Sequence, residues 1–350
     1  MNTLKEIAAE IKRRNNFVIM GHIDPDGDCL GSVVGLQLLL ENLNKDSRAV
    51  LHDFSFVKFG FLFSFLQKKG KSSVKLSNRR SGQLFEKSDR FYNFSKNDVQ
   101  KLFNNVESKT VIALDSGDLE RLGTAGQKIA ADSFIINLDH HPDNPAYGDL
   151  NYVASDAAAV GEIIYDLAEC LDVTIDISSG TALATALISD TGSLRYKNTS
   201  SRVLKIVAEL MELGVDIYEI NNNLYGNHKF STVKLKGLAL SRLQLSKDGS
   251  IAWIYVDRDM FKQTNTVEAD ASGLVNYARD IQGVKVGIAF IENSEGELKV
   301  SFRSQTDEIP VNEIAAVFDG GGHARAAGCK LPDTGQCETE KVLLEVKKFV

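Results

Sequence analysis

Residues 17–30 read Phe17-Val18-Ile19-Met20-Gly21-His22-Ile23-Asp24-Pro25-Asp26-Gly27-Asp28-Cys29-Leu30, and the chemistry changes twice inside that stretch. Four consecutive apolar residues, Phe17–Met20, have the composition of a strand buried on both faces. A loop carrying His22, Asp24, Asp26 and Asp28 follows at once. From Leu30 to Leu43 the apolar residues Val33, Val34, Leu36, Leu38, Leu39, Leu40 and Leu43 make a run too long for a strand, which predicts a helix. Strand, charged loop and helix together form the repeating unit of a parallel sheet. The strand signal recurs at Ala49–Leu51, Val111–Leu114 and Phe134–Leu138. The expectation is an α/β, doubly wound, mainly parallel sheet.

Outward from that core, helices are predicted over Ala157–Leu171 and Ile177–Ser189, the second ending at Asp190-Thr191-Gly192. Residues 199–230 are helical and more polar, and read as a connector. Residues 231–350 predict a smaller α+β domain, with strands at Ile251–Val256, Val284–Ile291 and Leu298–Phe302. Its helices are placed at Ser231–Leu245, Val267–Ile281, Val311–Phe318 and Glu338–Phe349. The expected boundaries are therefore 1–198, 199–230 and 231–350, and 350 residues suit two domains of ordinary size.

Composition narrows the function. Hydrophobic and charged fractions of 43% and 25% exclude wholesale disorder and collagen-like repetition. A net charge of −7 argues against gripping long nucleic acid by electrostatics alone, but permits a small anionic substrate held by local positive charge. Cys29, Cys170, Cys329 and Cys337 contain no Cys-x-x-Cys pair, which points to a reducing, cytoplasmic setting. Met1–Ile7 opens an amphipathic helix without the apolar centre of a signal peptide, and no 18-residue apolar run predicts a membrane span. One segment stands apart: Phe54–Asn104 holds ten of the 18 Phe, with eight Lys and three Arg against three acidic residues, a local charge of +8. Basic residues interleaved with aromatics can track single-stranded nucleic acid. The plainer reading takes Phe59, Phe61, Phe63 and Phe65 as one face of a strand beside a solvated loop.

Three charged loops follow predicted strands directly: His22–Asp28, Asp115-Ser116-Gly117-Asp118 and Asp139-His140-His141. Open parallel sheets bind ligands beyond the carboxyl ends of their strands, so these loops should converge. Convergence would gather His22, Asp26, Asp28, Asp115 and His140. So many carboxylates cannot share a site as free anions, and divalent cations resolve the conflict. Imidazole and carboxylate donors suit Mn²⁺ first and Mg²⁺ second, and the number of donors suits two ions. Asp190 offers a further carboxylate, although a capped helix end explains it equally well by itself. Asp139 reads as a partner that orients a histidine. In Asp319-Gly320-Gly321-Gly322-His323-Ala324-Arg325-Ala326-Ala327-Gly328, three glycines would let the backbone approach a phosphate and present N–H groups as a nest. Arg303 is a second candidate phosphate clamp.

These motifs resemble the DHH phosphoesterases, a family named for the element that stands here as Asp139-His140-His141. The His-x-Asp-Pro-Asp-x-Asp, Asp-Ser-Gly-Asp and Ser-Asp-Thr-Gly elements occur with it in order, and the resemblance covers nearly the whole chain. The Gly320–Gly328 run looks like the DHH-associated substrate domain, in the subgroup of stand-alone nanoRNase/pAp phosphatases and related cyclic dinucleotide phosphodiesterases. The resemblance implies that His22, Asp26 and Asp115 hold one Mn²⁺ and that Asp28, Asp115, His140 and Asp190 hold the other, with Asp115 shared. It implies that His141 contacts the scissile phosphate, while Arg303, Gly320, Gly321, Gly322 and His323 bind the substrate's other phosphate or base. His141, Asp115 and Arg303 would be the catalytic set. Phe54–Asn104 departs from the family in being longer and more basic than a short connector.

The expected activity is two-metal hydrolysis of very short 5′-phosphorylated oligoribonucleotides, of 3′-phosphoadenosine 5′-phosphate, or of both. The first alternative is a cyclic di-AMP or pApA phosphodiesterase. The second is a non-catalytic RNA- or nucleotide-binding protein. Expected partners are short RNA or small nucleotides and a second copy of the chain, with no membrane and no long duplex nucleic acid.

Overall fold

The computed structural model describes residues 1–52, 59–62, 75–78, 83–86, 91–94, 110–131, 133–306 and 308–350. The chain divides into two compact units, Met1–Asn227 and His228–Val350.

In the first unit, strands β1 (Phe17–Met20), β2 (Ser47–His52), β5 (Phe91–Phe94), β6 (Thr110–Leu114), β7 (Phe134–Asp139) and β8 (Leu150–Val153) form one sheet. Its order is β5-β2-β1-β6-β7-β8, with every neighbouring pair parallel. A separate antiparallel pair, β3 (Lys75–Asn78) and β4 (Gln83–Glu86), lies between β2 and β5 in the chain. The order runs away from β1 on one side and resumes on its other side at β6, so the switch point lies between β1 and β6. The carboxyl ends of those two strands carry His22–Asp28 and Asp115. Strands β1 and β6 are buried at every residue, which is why they are apolar throughout rather than alternating.

Seven helices complete this unit: α1 (Leu4–Arg13), α2 (Gly27–Asn42), α3 (Gly123–Ala130), α4 (Val160–Leu171), α5 (Ile177–Asp190), α6 (Ser201–Glu212) and α7 (Ile217–Tyr225), counted among the described residues. Helix α2 is buried from Gly27 to Leu40, because α5 covers the side that the sheet does not. A Cβ at Gly31 would lie 2.5 Å from the Ala182 carbonyl oxygen, so only glycine permits this helix contact. The stretch read as a connector supplies α6 and α7, whose Val203, Ile206, Val207, Leu210, Ile220 and Leu224 belong to the same apolar core as α2. Strand β8 escaped the sequence reading because its residues are half-buried and lack a buried apolar run. Phe59–Leu62 is a helical turn with Phe59 and Leu62 buried, which corrects the strand expected there. A turn of helix lets the two apolar side chains three positions apart face the core together. Phe63, Phe65 and most of the basic aromatic segment lie outside the described residues.

The second unit is a mixed six-stranded sheet ordered β13-β14-β12-β11-β10-β9. Its strands are β9 (Gln244–Leu245), β10 (Ile251–Val256), β11 (Val286–Glu292), β12 (Leu298–Ser304), β13 (Gly321–His323) and β14 (Ala326–Leu331). β10 and β11 pair parallel, and the other neighbours pair antiparallel. One face buries Ile288, Phe290, Val300 and Phe302 with Val311, Ile314, Val342 and Val346; the other buries Ile254, Val256 and Ala289 with Leu235, Met260 and Leu274. Two expected helices are shorter than predicted. Ser231–Leu245 ends at Leu240, and Gln244–Leu245 pairs with β10 instead. Val267–Ile281 splits into a 3₁₀ turn at Glu268–Ala271 and a helix at Leu274–Arg279, because Gly273 between them is left-handed at φ 83°. No described helix is long and apolar enough to cross a membrane.

Candidate active site

The loop after β1 is shaped by its own carboxylates. Asp26 is the N-cap of α2, and its Oδ1 accepts from the amides of Asp28 (3.0 Å) and Cys29 (3.1 Å). That cap starts the helix at Gly27 and carries Asp28 into the interior, where it is fully buried. Asp28 Oδ2 accepts from the Val160 amide at 2.7 Å, and Oδ1 accepts from the Gly161 amide at 3.1 Å and Ser32 Oγ at 2.9 Å.

Asp115 follows β6 directly and has φ 54°, a left-handed conformation that aspartate tolerates better than most residues. Its carboxylate lies between two imidazoles: His22 Nε2 is 3.5 Å from Oδ2 and His140 Nε2 is 3.5 Å from Oδ1. His140 Nε2 is also 3.8 Å from Asp28 Oδ2 and 3.7 Å from Asp190 Oδ2. Both rings are turned by backbone carbonyls. His22 Nδ1 lies 2.7 Å from Ile23 O, and His140 Nδ1 lies 3.3 Å from Ala157 O. With Nδ1–H donating to those carbonyls, each Nε2 faces the carboxylates, donating to them while it carries a proton and offering its lone pair to a cation once that proton is lost.

His141 faces differently. Its Nδ1 lies 2.7 Å from Asp139 Oδ1, and Asp139 is itself held by the His140 amide at 2.8 Å and by Asn144 Nδ2 at 2.6 Å. Asp139 therefore orients the histidine, as the sequence suggested. His141 Nδ1 is also 3.7 Å from Asp115 Oδ1.

The charges in this cluster are strongly displaced. Burial, reinforced by Asp115, pushes the Asp28 carboxyl up to about 7. Burial and the Asp28 charge push Asp190 well above the usual carboxylate range. Asp115 goes the other way: burial would raise it, but hydrogen bonds from His140 and His22 hold it well below that range. Burial opposes charge on His22 too, yet Asp115 lifts it to about 9, and His140 is raised for the same reason. Carboxylates that resist ionisation beside imidazoles turned inward are the mark of a site that gains from a divalent cation. The donors form three groups able to hold an ion: His22, Cys29 and Asp115; Asp115, His140 and His141; Asp28, His140 and Asp190. Oxygen and nitrogen donors predominate, so the set fits a hard or borderline divalent cation.

Five of the six expected ligands, His22, Asp28, Asp115, His140 and Asp190, lie in these groups. Asp26 does not, although its charge is felt at His22, Asp28 and Asp190. Cys29 was not expected among the donors, and it enters because it follows Asp28 on the first turn of α2. The amides of Val160 and Gly161 carried no sequence signal, since they lie more than 130 residues from the carboxylate they meet.

Arg303 and the glycine run belong to the second unit. The run, read as an open nest, is instead an edge strand, with Gly321 opposite Gly328, Gly322 opposite Ala327 and His323 opposite Ala326. The Gly320 amide donates to Ala315 O at 2.9 Å, and antiparallel pairing with β14 engages alternate residues of the strand. A Cβ at Gly322, where φ is 140°, would sit 2.5 Å from Ala326 O, whereas one at Gly321 would meet nothing within 4 Å. Ala326 also stands opposite Arg303, so Arg303, Ala326 and His323 occupy one cross-strand row. Arg303 Nη1 donates to Phe302 O at 2.9 Å.

Residues 16–215 match the DHH family, N-terminal domain, and residues 248–350 match the DHHA1 domain. The bifunctional oligoribonuclease and PAP phosphatase NrnA of Thermus thermophilus is 30% identical over 313 residues, covering 89% of this chain and 83% of that protein. The Bacillus subtilis protein of the same name is 26% identical over 329 residues, covering 93% and 92%. A probable bifunctional oligoribonuclease and PAP phosphatase NrnA of Streptococcus mutans is 27% identical over 350 residues, covering 100% of both. The crystal structure of an exopolyphosphatase-related protein from Bacteroides fragilis shares the fold, with a TM-score of 0.82 at 23% identity over 99% of this chain and 96% of that one.

Proposed function

The chain belongs to the DHH family and is a hydrolase of phosphate esters, and from that premise we propose that it cleaves very short 5′-phosphorylated oligoribonucleotides and 3′-phosphoadenosine 5′-phosphate with two divalent cations, Mn²⁺ foremost. The observation that carries this reading is the position of Asp115 between two imidazoles at 3.5 Å, at the switch point of a parallel sheet. Relatives named oligoribonuclease and PAP phosphatase, matched over at least 83% of their length, supply the substrate class.

In this reading His22, Asp26 and Asp115 hold one cation and Asp28, Asp115, His140 and Asp190 the other. Bound there, the cations would supply a hydroxide nucleophile at neutral pH and offset the charge on the phosphoryl oxygens. The remaining work falls to the chain. Asp139 fixes the His141 ring through Nδ1 and so sets the direction of Nε2, which would donate to the phosphoryl group when it carries a proton. Arg303 and His323, on one row of the second sheet, would receive the substrate's other phosphate or its base together with Gly320, Gly321 and Gly322.

The test is a turnover panel with Mn²⁺ and, separately, Mg²⁺, offering 5′-phosphorylated RNA of two to five nucleotides, a long single strand, 3′-phosphoadenosine 5′-phosphate, pApA and cyclic di-AMP. The proposal expects the short RNAs and 3′-phosphoadenosine 5′-phosphate to lead. Preference for cyclic di-AMP or pApA would replace the substrate, and binding without turnover of anything would overturn the proposal.

A further inference from the structure

Beside His141 stands a cation that none of the motif residues accounts for. Arg121 lies on the 3₁₀ turn Glu120–Leu122 after β6, and the turn is anchored twice. Asp118 Oδ1 accepts from the Arg121 amide at 2.8 Å, and the Arg121 carbonyl accepts from the Ile23 amide at 2.8 Å. The second bond ties this turn to the loop that carries His22 and Asp26. From that position Arg121 Nη1 lies 3.4 Å from His141 Nε2. His141 Nδ1 is committed to Asp139, so Nε2 is the acceptor and the guanidinium the donor.

This is a poor resting place for a guanidinium. The side chain is half-buried, and among the described residues it pairs with no carboxylate. An arginine removed from water normally acquires an anion, and an imidazole at 3.4 Å returns only a weak, neutral hydrogen bond. The two carboxylates beside His141, Asp139 and Asp115, lie against Nδ1 rather than Nε2. A half-buried guanidinium whose side chain meets only an imidazole among the described residues keeps donors for an anion. The planar fork of arginine has donors to spare for phosphoryl oxygens.

We propose that Arg121 is a phosphate-binding residue of this site, receiving a phosphoryl oxygen beside His141 and giving up its contact with the imidazole as it does so. The proposal rests on the phosphoesterase reading but is tested apart from it. Orthophosphate binding to Mn²⁺-loaded full-length protein is measured by calorimetry for the wild type, Arg121→Gln and Arg121→Lys, with melting temperature and bound Mn²⁺ as controls. Orthophosphate affinity should fall at least tenfold in Arg121→Gln and less in Arg121→Lys, with both controls unchanged. On whichever ester the wild type hydrolyses, KM should rise by more than kcat falls. Phosphate affinity within twofold of wild type in both variants would overturn the proposal. Loss of fold or of metal in both would also overturn it, by assigning Arg121 to structure. A wild type that binds orthophosphate but hydrolyses no ester would sink the substrate reading and leave the Arg121 comparison to stand or fall on its own affinities.

Discussion

Asp28 and Val160, 132 residues apart in the chain, are joined by a 2.7 Å hydrogen bond from the Val160 amide to Asp28 Oδ2. Val160 is the first residue of α4, so a side chain drawn into the metal-binding group also serves as the anion at a helix N-terminus. Gly161 and Ser32 add two further donors. Asp28 therefore has a structural role besides its place among the candidate ligands, and the two roles can be separated.

In metal-free protein, Asp28→Ala should lower stability by about 2–4 kcal/mol, because two buried amides and a hydroxyl lose their acceptor. Asp190→Asn should leave the metal-free melting temperature unchanged or raise it, since it removes a half-buried carboxylate repelled by Asp28. Thermal melts in chelator check both. Equal destabilisation by the two substitutions would contradict the helix-terminus role.

Asp115→Asn isolates chemistry from folding. Asparagine accepts the left-handed backbone at φ 54°, so the variant should keep its fold. Its kcat/KM should nonetheless fall by about a thousandfold or more, which is the loss the proposed sharing of Asp115 by two cations requires. Metal-replete Asp115→Asn retaining more than roughly a twentieth of wild-type activity would refute the shared position.

Cation binding should release protons at neutral pH. The Asp28 carboxyl is raised from 3.8 to about 7, and the His22 imidazole from 6.5 to about 9. For both groups the folded value exceeds the unfolded one. The metal-free fold therefore keeps their contribution below the unfolded values and loses it as pH rises, through about 7 for Asp28 and about 9 for His22. A cation requires both groups deprotonated, so the rise in melting temperature on adding Mn²⁺ should grow from pH 6 to pH 9. Calorimetry at pH 7 in two buffers of different ionisation enthalpy counts the protons, and identical heats in both would refute the release.

Within the glycine strand, Gly321→Ala and Gly322→Ala should part company. The second places a methyl 2.5 Å from Ala326 O and should destabilise the hairpin, whereas the first enters open space and should leave the melting temperature unaltered. If the strand binds substrate, Gly321→Ala and Arg303→Ala should both raise KM while the protein stays folded. KM values for short RNA unchanged in both variants would remove this strand from the substrate site.

The parts of this protein that were legible in the sequence were those whose signal is local. Phe17–Met20 and Val111–Leu114 are apolar at every position because both faces of their strands are covered, and that requirement is written residue by residue. The loops at His22, Asp115 and Asp139 stood out because each places a run of charge directly after a buried apolar strand. Strand β8 was not legible, because half-buried residues at a sheet edge carry no distinguishing pattern. The glycine run was misjudged in conformation for a related reason: three glycines permit either a nest or a close-packed strand, and the choice depends on what lies alongside.

The sequence by itself determined the doubly wound sheet, the set of imidazoles and carboxylates at its carboxyl edge, and the need for cations among them. Only the tertiary structure decided which partner each group received. Asp28 met the amides of a helix 132 residues away, His141 was set between Asp139 and Arg121, and Gly322 was pressed against β14. Apolar patterning states which face of an element is buried. Hydrogen-bond partners, by contrast, are assigned by where distant segments come to lie, and no local pattern records that.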